Sequence, residues 1–262
     1  MTFRDNGESA FAHFNKMILK NMGVGERNNL TLKPEDFEIL NKLAESQQNV
    51  LFIINYARQN YEFISTNCED IINISHEFLN RGYQAVLSII YPEDQIYVSK
   101  SIGKAFEYMF EHFSVEEMKN MTYAHTYRIV DRDKNVIQIM QRGSLLEVND
   151  EKKPLTESGM LANVSHWKKT DQLVFFVKSG EKNLFLVRLP DSTEVEKIEL
   201  SYAQLKVLRS LAKGNDSSTA AKELKISKYT IDTHRKHILA KTGFSDINAM
   251  IHFAVEAGIL KA

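Results

Sequence analysis

The feature that most constrains the fold is a series of four short helix patterns between residues 201 and 257. The first begins at Ser201, which has capping-box spacing to Gln204, so that each side chain can satisfy a backbone N–H of the other. Apolar residues then recur at helical intervals, at Leu205, Leu208 and Leu211. Gly214 follows and can end the helix in the left-handed conformation. The sequence therefore predicts a helix between Ser201 and Gly214.

Three more helices are expected at 219–224, 228–241 and 246–257. Ser217 or Ser218 can cap the first of these, and Ser227 can cap the second after a three-residue turn. Gly243 and Gly258 follow the last two and favour helix ends there. Two helices joined by so short a turn have the geometry that places the second in the major groove of DNA.

The third helix has two unlike faces. Ile231, His234 and Ile238 share the face that we expect to pack on the domain, and the opposite face would meet DNA. Arginine and lysine there can bind phosphates or guanine edges, and Asp232 can accept from cytosine. The candidate DNA-binding residues are Ser227, Lys228, Tyr229, Thr230, Asp232, Thr233, Arg235, Lys236 and Lys241.

A family resemblance covers about 60 residues of this segment. It is carried by Leu200-Ser201, Leu205-x-Val207-Leu208, Gly214, Ala221, Leu224, Ile226-Ser227, Thr230-Ile231, Thr233-His234-Arg235 and Lys241-x-Gly243. This pattern resembles the LuxR-type helix-turn-helix, an all-α domain of four helices. The resemblance implies that the helix after Ser227 is the recognition helix and that the last helix mediates dimerisation. The sequence departs from the family at Thr219, often Glu, at Ala203-Gln204, usually Arg-Glu, and at Asp232, often basic.

The rest of the chain alternates between helical and strand patterns. A helix is expected in 34–48 and a hairpin of strands at 49–56 and 61–66. Residues 67–114 read as short helices followed by a longer one. Three strands are expected at 121–130, 136–148 and 171–178, with a loop around 150–154, and 183–189 is either a further strand or part of a linker. Five antiparallel strands with helices make this an α+β domain.

This α+β segment resembles a PAS domain over about residues 35–180. The resemblance rests on 61–65 followed by Asn67, on Tyr91-Pro92-Glu93-Asp94, and on Arg128-Ile129-Val130 with Asp133-Lys134. Relatives often have His where this chain has Tyr91. The resemblance implies a domain that binds a small ligand or cofactor in the cup of its sheet, dimerises, or does both. A generic α+β sensory domain is the alternative.

The chain thus divides into four parts. We expect a helical extension at 1–30, with an amphipathic helix over 11–22, and a PAS-like sensor or dimerisation domain at 31–189. A polar, proline-led linker at 190–199 precedes the LuxR-type domain at 200–262.

Composition and charge indicate the compartment and the kind of partner to expect. The longest apolar runs hold about five or six residues, well short of the ~20 that a membrane span needs. The start of the chain lacks a signal-peptide pattern. Cys68 is the only cysteine, which fits a reducing compartment, so we expect a cytoplasmic protein. From residue 195 on there are 11 basic and 7 acidic residues, against 22 and 27 before it. The basic end suits nucleic-acid contact.

Four side chains are candidates for binding a cofactor, but each also has a structural interpretation. His112 and His125 could bind haem, yet both lie in ordinary amphipathic sequence, which favours packing roles, as it does for Trp167. Cys68 lies too early for a flavin adduct. No metal-ligand spacing, phosphate-binding loop or Gly-x-Ser-x-Gly is present. We therefore expect neither metal nor enzyme activity, and can name no cofactor.

These observations favour a transcription regulator whose PAS-like domain senses a small molecule or mediates association. The expected partners are double-stranded DNA and a second copy of the chain, with RNA polymerase as a further candidate, a small ligand in the PAS-like domain, and no membrane. Two alternatives stay open. In one, the helical domain is mainly a dimerisation unit of an interaction protein, an idea suggested by Asp232 on the outer face. In the other, the chain is a remnant of a ligand-binding enzyme.

Overall fold

A computed structural model describes residues 32–166, 173–188 and 194–260. The helix expected over 11–22 and the tryptophan at 167 lie outside these ranges, as do residues 190–193 at the start of the expected linker. All structural statements below concern the described residues.

Eight strands form one antiparallel sheet. They are β1 (Val50–Asn55), β2 (Asn60–Ile64), β3 (Thr122–Val130), β4 (Val136–Val148), β5 (Pro154–Asn163), β6 (Val174–Ser179), β7 (Lys182–Arg188) and β8 (Val195–Ile198). Their order across the sheet is β2-β1-β5-β4-β3-β6-β7-β8. The predicted hairpin β1–β2 is confirmed, and the strands predicted at 121–130 and 136–148 pair with each other as β3 and β4.

The expected five-strand sheet is wrong in its number of strands. The stretch after the 150–154 loop forms β5, a central strand between β1 and β4. Its residues include Thr156, Glu157 and Gly159, which do not show the apolar alternation of a half-buried strand. Residues 195–198, inside the stretch expected as a linker, pair with β7 as β8. The burial of Val195 against the core accounts for this extension.

Six helices accompany the sheet in the first part of the chain. They are α1 (Pro34–Gln47), α2 (Cys68–Ile72), α3 (His76–Leu79), α4 (Tyr83–Ile89), α5 (Pro92–His112) and α6 (Val115–Lys119). Buried side chains of α2 to α6 form one core with the inner face of the sheet. This α+β arrangement matches the predicted fold class, and α5 is the predicted longer helix.

Four helices follow, as predicted. They are α7 (Tyr202–Ala212), α8 (Ser217–Leu224), α9 (Lys228–Thr242) and α10 (Ile247–Glu256). Ser201 and Gln204 form the predicted capping box, and Ser227 caps α9, which ends at Gly243 in the left-handed conformation. The cap predicted for α8 is wrong, because Asp216 rather than a serine accepts the backbone N–H of Thr219, at 2.7 Å.

The outer face of the sheet is also covered. Strand residues alternate between the faces, so that Phe176 and Phe185 point away from the inner core and into a second one. This second core continues into the helical domain, where it includes Leu208, Ile231 and Phe253. At the other edge, α1 packs on Leu51, Ile53 and Phe63.

Polar contacts fasten the end of α10 to the sheet. Arg142 on β4 forms an ion pair with Glu256 and donates to the main-chain oxygen of Glu256 at 3.0 Å. Lys178 on β6 donates to the main-chain oxygen of Gly258 at 2.6 Å. Cations at a helix C-terminus interact favourably with the negative end of the helix dipole. The helical domain is therefore docked on the sheet through its last helix.

Candidate functional site

One side of α9 is open to solvent. Ile231 and Ile238 are fully buried in the helical domain, which fixes the rotation of the helix. Tyr229 consequently points outward and is 81% exposed, and Lys228 and Lys236 are exposed beside it. The docked sheet leaves this side uncovered, because docking uses α10.

The turn into α9 is tightly specified. Lys225 takes the left-handed conformation at the end of α8, and Ser227 then begins α9. The Ser227 hydroxyl accepts the backbone N–H of Thr230 at 3.0 Å and lies 2.8 Å from the Thr230 hydroxyl. Ser227 and Thr230 therefore hold the start of the helix, whose free N–H groups favour an anion such as phosphate.

The two charges in the middle of α9 are linked. Arg235 donates a hydrogen bond to the Ser217 hydroxyl on α8 at 2.6 Å, and an ion-pair contact of 3.8 Å joins it to Asp232. Arg235 thus partly offsets the Asp232 carboxylate. The Thr233 hydroxyl donates to the main-chain oxygen of Tyr229 at 2.9 Å. Of these contacts, the hydrogen bond from Arg235 to Ser217 links α9 to α8.

Lys241 lies at the far end of α9. Its ammonium donates to the main-chain oxygen of Glu199 at 2.9 Å, next to the strand β8. The structure thus places the candidates from Ser227 to Lys236 on the first part of α9 and engages Lys241 in a contact within the protein.

A second candidate site is a cavity of about 130 Å³ between the inner face of the sheet and helices α4 and α5. Aromatic and aliphatic side chains form most of its wall. Its aromatic and polar lining residues include Phe52, Tyr56, Tyr61, Tyr123, His125, Tyr127, Gln141, Glu157 and Phe175.

A chain of hydrogen bonds crosses this wall and ends on Glu157. The Tyr127 hydroxyl donates to Gln141 Oε1 at 2.7 Å, and Gln141 Nε2 donates to the Tyr123 hydroxyl at 2.6 Å. Tyr123 in turn donates to Glu157 Oε1 at 2.5 Å, and Tyr56 donates to Glu157 Oε2 at 2.6 Å. Both carboxyl oxygens therefore receive a hydroxyl hydrogen bond.

Burial governs the titration of these groups. Desolvation raises the pKa of Glu157, and the hydrogen bonds from Tyr123 and Tyr56 oppose that rise. Desolvation also raises the pKa of Tyr123 and Tyr56, with a further contribution from the nearby glutamate. Burial lowers the pKa of His125 to about 3, so this imidazole is neutral at physiological pH.

Close backbone approach shapes the cavity wall. Gly159 on β5 lies beneath Phe52, and a β-carbon there would lie 2.4 Å from the Phe52 ring. Gly143 on β4 lies similarly beneath Tyr123, with a β-carbon position 2.8 Å from the phenol. The two glycines are paired across β4 and β5. They let both aromatic side chains lie flat over the sheet.

The segment Tyr91-Pro92-Glu93-Asp94 lies at the start of α5 and contacts β3. Asp94 is fully buried and accepts from the Arg128 backbone N–H at 2.8 Å and from its guanidinium at 2.9 and 2.5 Å. The same guanidinium lies 4.4 Å from the centre of the Tyr91 ring. Tyr91 therefore makes a cation–π contact.

The histidines and the cysteine that the sequence offered as cofactor candidates have packing roles in the structure. His125 Nε2 lies 3.3 Å from the Ser101 hydroxyl, and the His112 ring packs on Tyr108 with centroids 4.4 Å apart. Cys68 is buried, which raises the pKa of its thiol to about 11. Across the described residues, no group of three or more His, Cys, Asp or Glu side chains is arranged to hold a metal ion.

The Glu157 cluster was not predicted from the sequence. Glu157 lies on β5, which was not predicted; Tyr123 and Tyr127 lie on β3, Gln141 lies on β4, and Tyr56 directly follows β1. One signal was present, since Tyr123, His125 and Tyr127 alternate along β3 and must share one face. Polar-tipped aromatic side chains in such a row indicate a wall with hydrogen-bonding groups rather than a wholly apolar core.

The capped α8–turn–α9 unit, with one buried and one exposed side, defines a helix-turn-helix domain. Residues 199–254 match the family model of bacterial regulatory proteins, luxR family. Residues 199–254 therefore form a LuxR-family helix-turn-helix domain, as the resemblance implied. A search of curated protein sequences found no match to the chain. None of the helices in the described ranges combines the length and apolar character that crossing a bilayer requires.

Several solved structures are similar to parts of the chain. The N-terminal domain of a diguanylate cyclase with PAS/PAC sensor from Marinobacter aquaeolei has 16% identity and a TM-score of 0.36, covering 45% of this chain and 96% of that one. A sensory box histidine kinase/response regulator from Burkholderia thailandensis has 21% identity and a TM-score of 0.35, covering 48% and 84%. VqmA of Vibrio cholerae, described among LuxR-type receptors, has 12% identity and a TM-score of 0.29, covering 87% and 89%.

Proposed function

We propose that this protein is a sequence-specific DNA-binding transcription regulator in which α9 reads the major groove. The observation that carries the proposal is the exposed side of α9 within a LuxR-family domain. Lys228 and Lys236 would contact phosphates, and Tyr229 and Thr233 would face base edges. The capped start of α9 supplies N–H groups to the backbone of the DNA.

The surroundings of Asp232 do not support the alternative in which the helical domain is mainly a dimerisation unit. Its ion pair with Arg235, at 3.8 Å, reduces the repulsion that a lone carboxylate would exert on phosphate. Asp232 can then serve as an acceptor for a cytosine amino group. We assign Arg235 a positioning role between α8 and α9, because its guanidinium is already bonded to Ser217.

We propose that residues 31–189 form a PAS-like sensor domain and residues 200–262 the DNA-binding domain. The order of the hairpin β1–β2, the helices α2 to α5 and the strands β3 and β4 supports the sensor part of this proposal. The cavity between sheet and helices would hold the sensed molecule. Because the same sheet supports α10 on its other face, a ligand that shifts the strands would also act on the docked domain.

A homodimer is part of the proposal. Ile39 and Leu43 lie one turn apart on α1 and are 64% and 46% exposed, so they offer an apolar stripe to a second copy. The apolar side of α10 is occupied by the sheet and the helical core. Dimer contact through α1 would leave that docking intact.

The test is selection of bound sequences from a random duplex library with the full chain, followed by gel shift on the enriched sequence. The proposal predicts one enriched motif, with repeated half-sites if the dimer binds. Replacing Tyr229 by Ala should weaken binding to that motif by roughly tenfold or more without a change in melting temperature, because the side chain is exposed. Tyr202→Ala is the matched control, since Tyr202 is a 68% exposed tyrosine on α7. Absence of any enriched motif would refute the proposal.

A further inference from the structure

Glu157 is a buried carboxylate on the cavity wall, and no lysine or arginine side chain among the described residues forms an ion pair with it. It is 7% exposed, and the described residues that line the cavity include no lysine or arginine. His125 also lines the cavity, but burial keeps it neutral, and its Nε2 lies 3.3 Å from the Ser101 hydroxyl. A buried charge without a partner is costly, and desolvation accordingly raises the pKa of Glu157; a bound cation would offset this cost and favour the ionised carboxylate.

The hydrogen-bond directions favour the acceptor form of this carboxyl group. Tyr56 has Glu157 as its acceptor, and Tyr123 accepts from Gln141 and therefore donates onward to Glu157. Each carboxylate oxygen can accept more than one hydrogen bond, so both oxygens keep acceptor capacity beyond the tyrosine hydroxyls.

The remaining wall suits a cation. Phe52, Tyr61 and Phe175 present ring surfaces around the cavity, together with the tyrosines of the hydrogen-bond chain. Aromatic faces attract a desolvated cation through their quadrupoles. The volume of about 130 Å³ limits the occupant, since a cavity of ~150 Å³ holds a benzene molecule.

We propose that the cavity binds a small organic ammonium ion, about the size of one ring, whose N–H group donates to Glu157 and whose hydrocarbon part contacts the aromatic wall. This inference rests on the proposed sensor function and names the chemical class of the sensed molecule. A cavity of about 130 Å³ is too small for haem or a flavin.

The test compares two probes of equal heavy-atom number, cyclopentylammonium and the neutral cyclopentanol, on the purified full chain at neutral pH. Binding is measured by calorimetry and by the shift in melting temperature. The proposal predicts that the ammonium binds at least about tenfold more tightly than the alcohol, corresponding to ~1.4 kcal/mol. Equal binding, tighter binding of the alcohol, or binding of neither probe would overturn it. This comparison in the wild-type chain needs no variant.

The variant Glu157→Gln sharpens the test. It keeps the shape and one acceptor oxygen but removes the charge, so the ammonium and the alcohol should bind this variant with about equal affinity. Glu147→Gln is the matched control, because Glu147 accepts from Thr156 at 2.6 Å and does not line the cavity. A retained ammonium preference in Glu157→Gln would overturn the proposal. DNA binding by the same preparations is measured separately, so a failed ligand assignment is distinguished from a failed regulator assignment.

Discussion

The ring of Phe253 on α10 stacks on the ring of Phe185 on β7, with centroids 5.8 Å apart and planes 23° apart. Phe253 also packs on Phe244 within the helical domain, at 5.7 Å. Phe185 packs on Phe176 of the neighbouring strand, at 5.8 Å. One aromatic contact thus joins the core of the DNA-binding domain to the outer face of the sheet.

Replacing Phe185 by Ala should loosen this docking. The buried ring is lost and a cavity remains, so the free energy of unfolding should fall by about 3 kcal/mol. Amide hydrogen exchange in α10 should rise as well, because the helix loses its support. Val136→Ala on an exposed part of β4 is the control and should change stability by less than about 0.5 kcal/mol. Unchanged exchange in α10 would contradict the docking.

Two Gly→Ala replacements should have opposite signs. At Gly159 a β-carbon meets the Phe52 ring at 2.4 Å, so the ring must move and stability should fall by about 1–3 kcal/mol. At Gly103, within α5, a β-carbon meets nothing within 4 Å. That change should stabilise the protein by about 0.5–1 kcal/mol through helix propensity. Chemical denaturation measures both, and equal signs would be inconsistent with the packing described.

The buried Asp94 should be sensitive to loss of its charge. In Asp94→Asn the guanidinium of Arg128, which is 19% exposed, loses its buried ionic partner, and Arg188, 3.5 Å from Asp94, loses an ionic contact as well. The expected loss in the free energy of unfolding is about 3 kcal/mol. Its neighbour Glu93 lies 3.5 Å from the same guanidinium but is 70% exposed, so Glu93→Gln should cost less than about 0.5 kcal/mol. Similar losses in both variants would show that burial is not the cause.

The cap of α8 predicts a pH dependence. The hydrogen bond from the Thr219 backbone N–H lowers the pKa of Asp216 below its usual value of 3.8. Its stabilising effect is therefore complete above pH 3.8 and is lost as the pH falls through the lower, folded value. Asp216→Ala should lower the melting temperature at neutral pH, and the difference from wild type should shrink in acid. Ser218→Ala, next to the cap, should show neither effect. A difference that is constant with pH would argue against an ionised cap.

Most of the helical domain could be predicted from the sequence because its signals are local. Ser201 and Ser227 each lie three residues before the backbone N–H that they cap. Gly243 marks the end of α9 where a left-handed residue is needed. Only the cap of α8 was missed, because Asp216, Ser217 and Ser218 are all good capping residues and local sequence does not choose among them.

Much of the sheet could not be predicted, because its stability comes from distant partners. Glu157 is tolerated in the central strand β5 only because Tyr56 and Tyr123, 101 and 34 positions away, bond to it. The docking of the helical domain was not predicted either, although a signal existed. The run 173–177 in β6 is apolar at every position, which is typical of a strand buried on both faces.

The central claim is that the exposed side of α9 binds DNA, and the dependence of affinity on salt tests it most directly. The account predicts that log K of the full chain falls linearly with log salt concentration, and that Lys236→Ala reduces this slope by about 1, because one phosphate contact is lost. Lys119→Ala, an exposed lysine on α6, should leave the slope unchanged. A wild-type chain without salt-sensitive DNA binding, or a Lys236→Ala slope equal to that of wild type, would contradict the account.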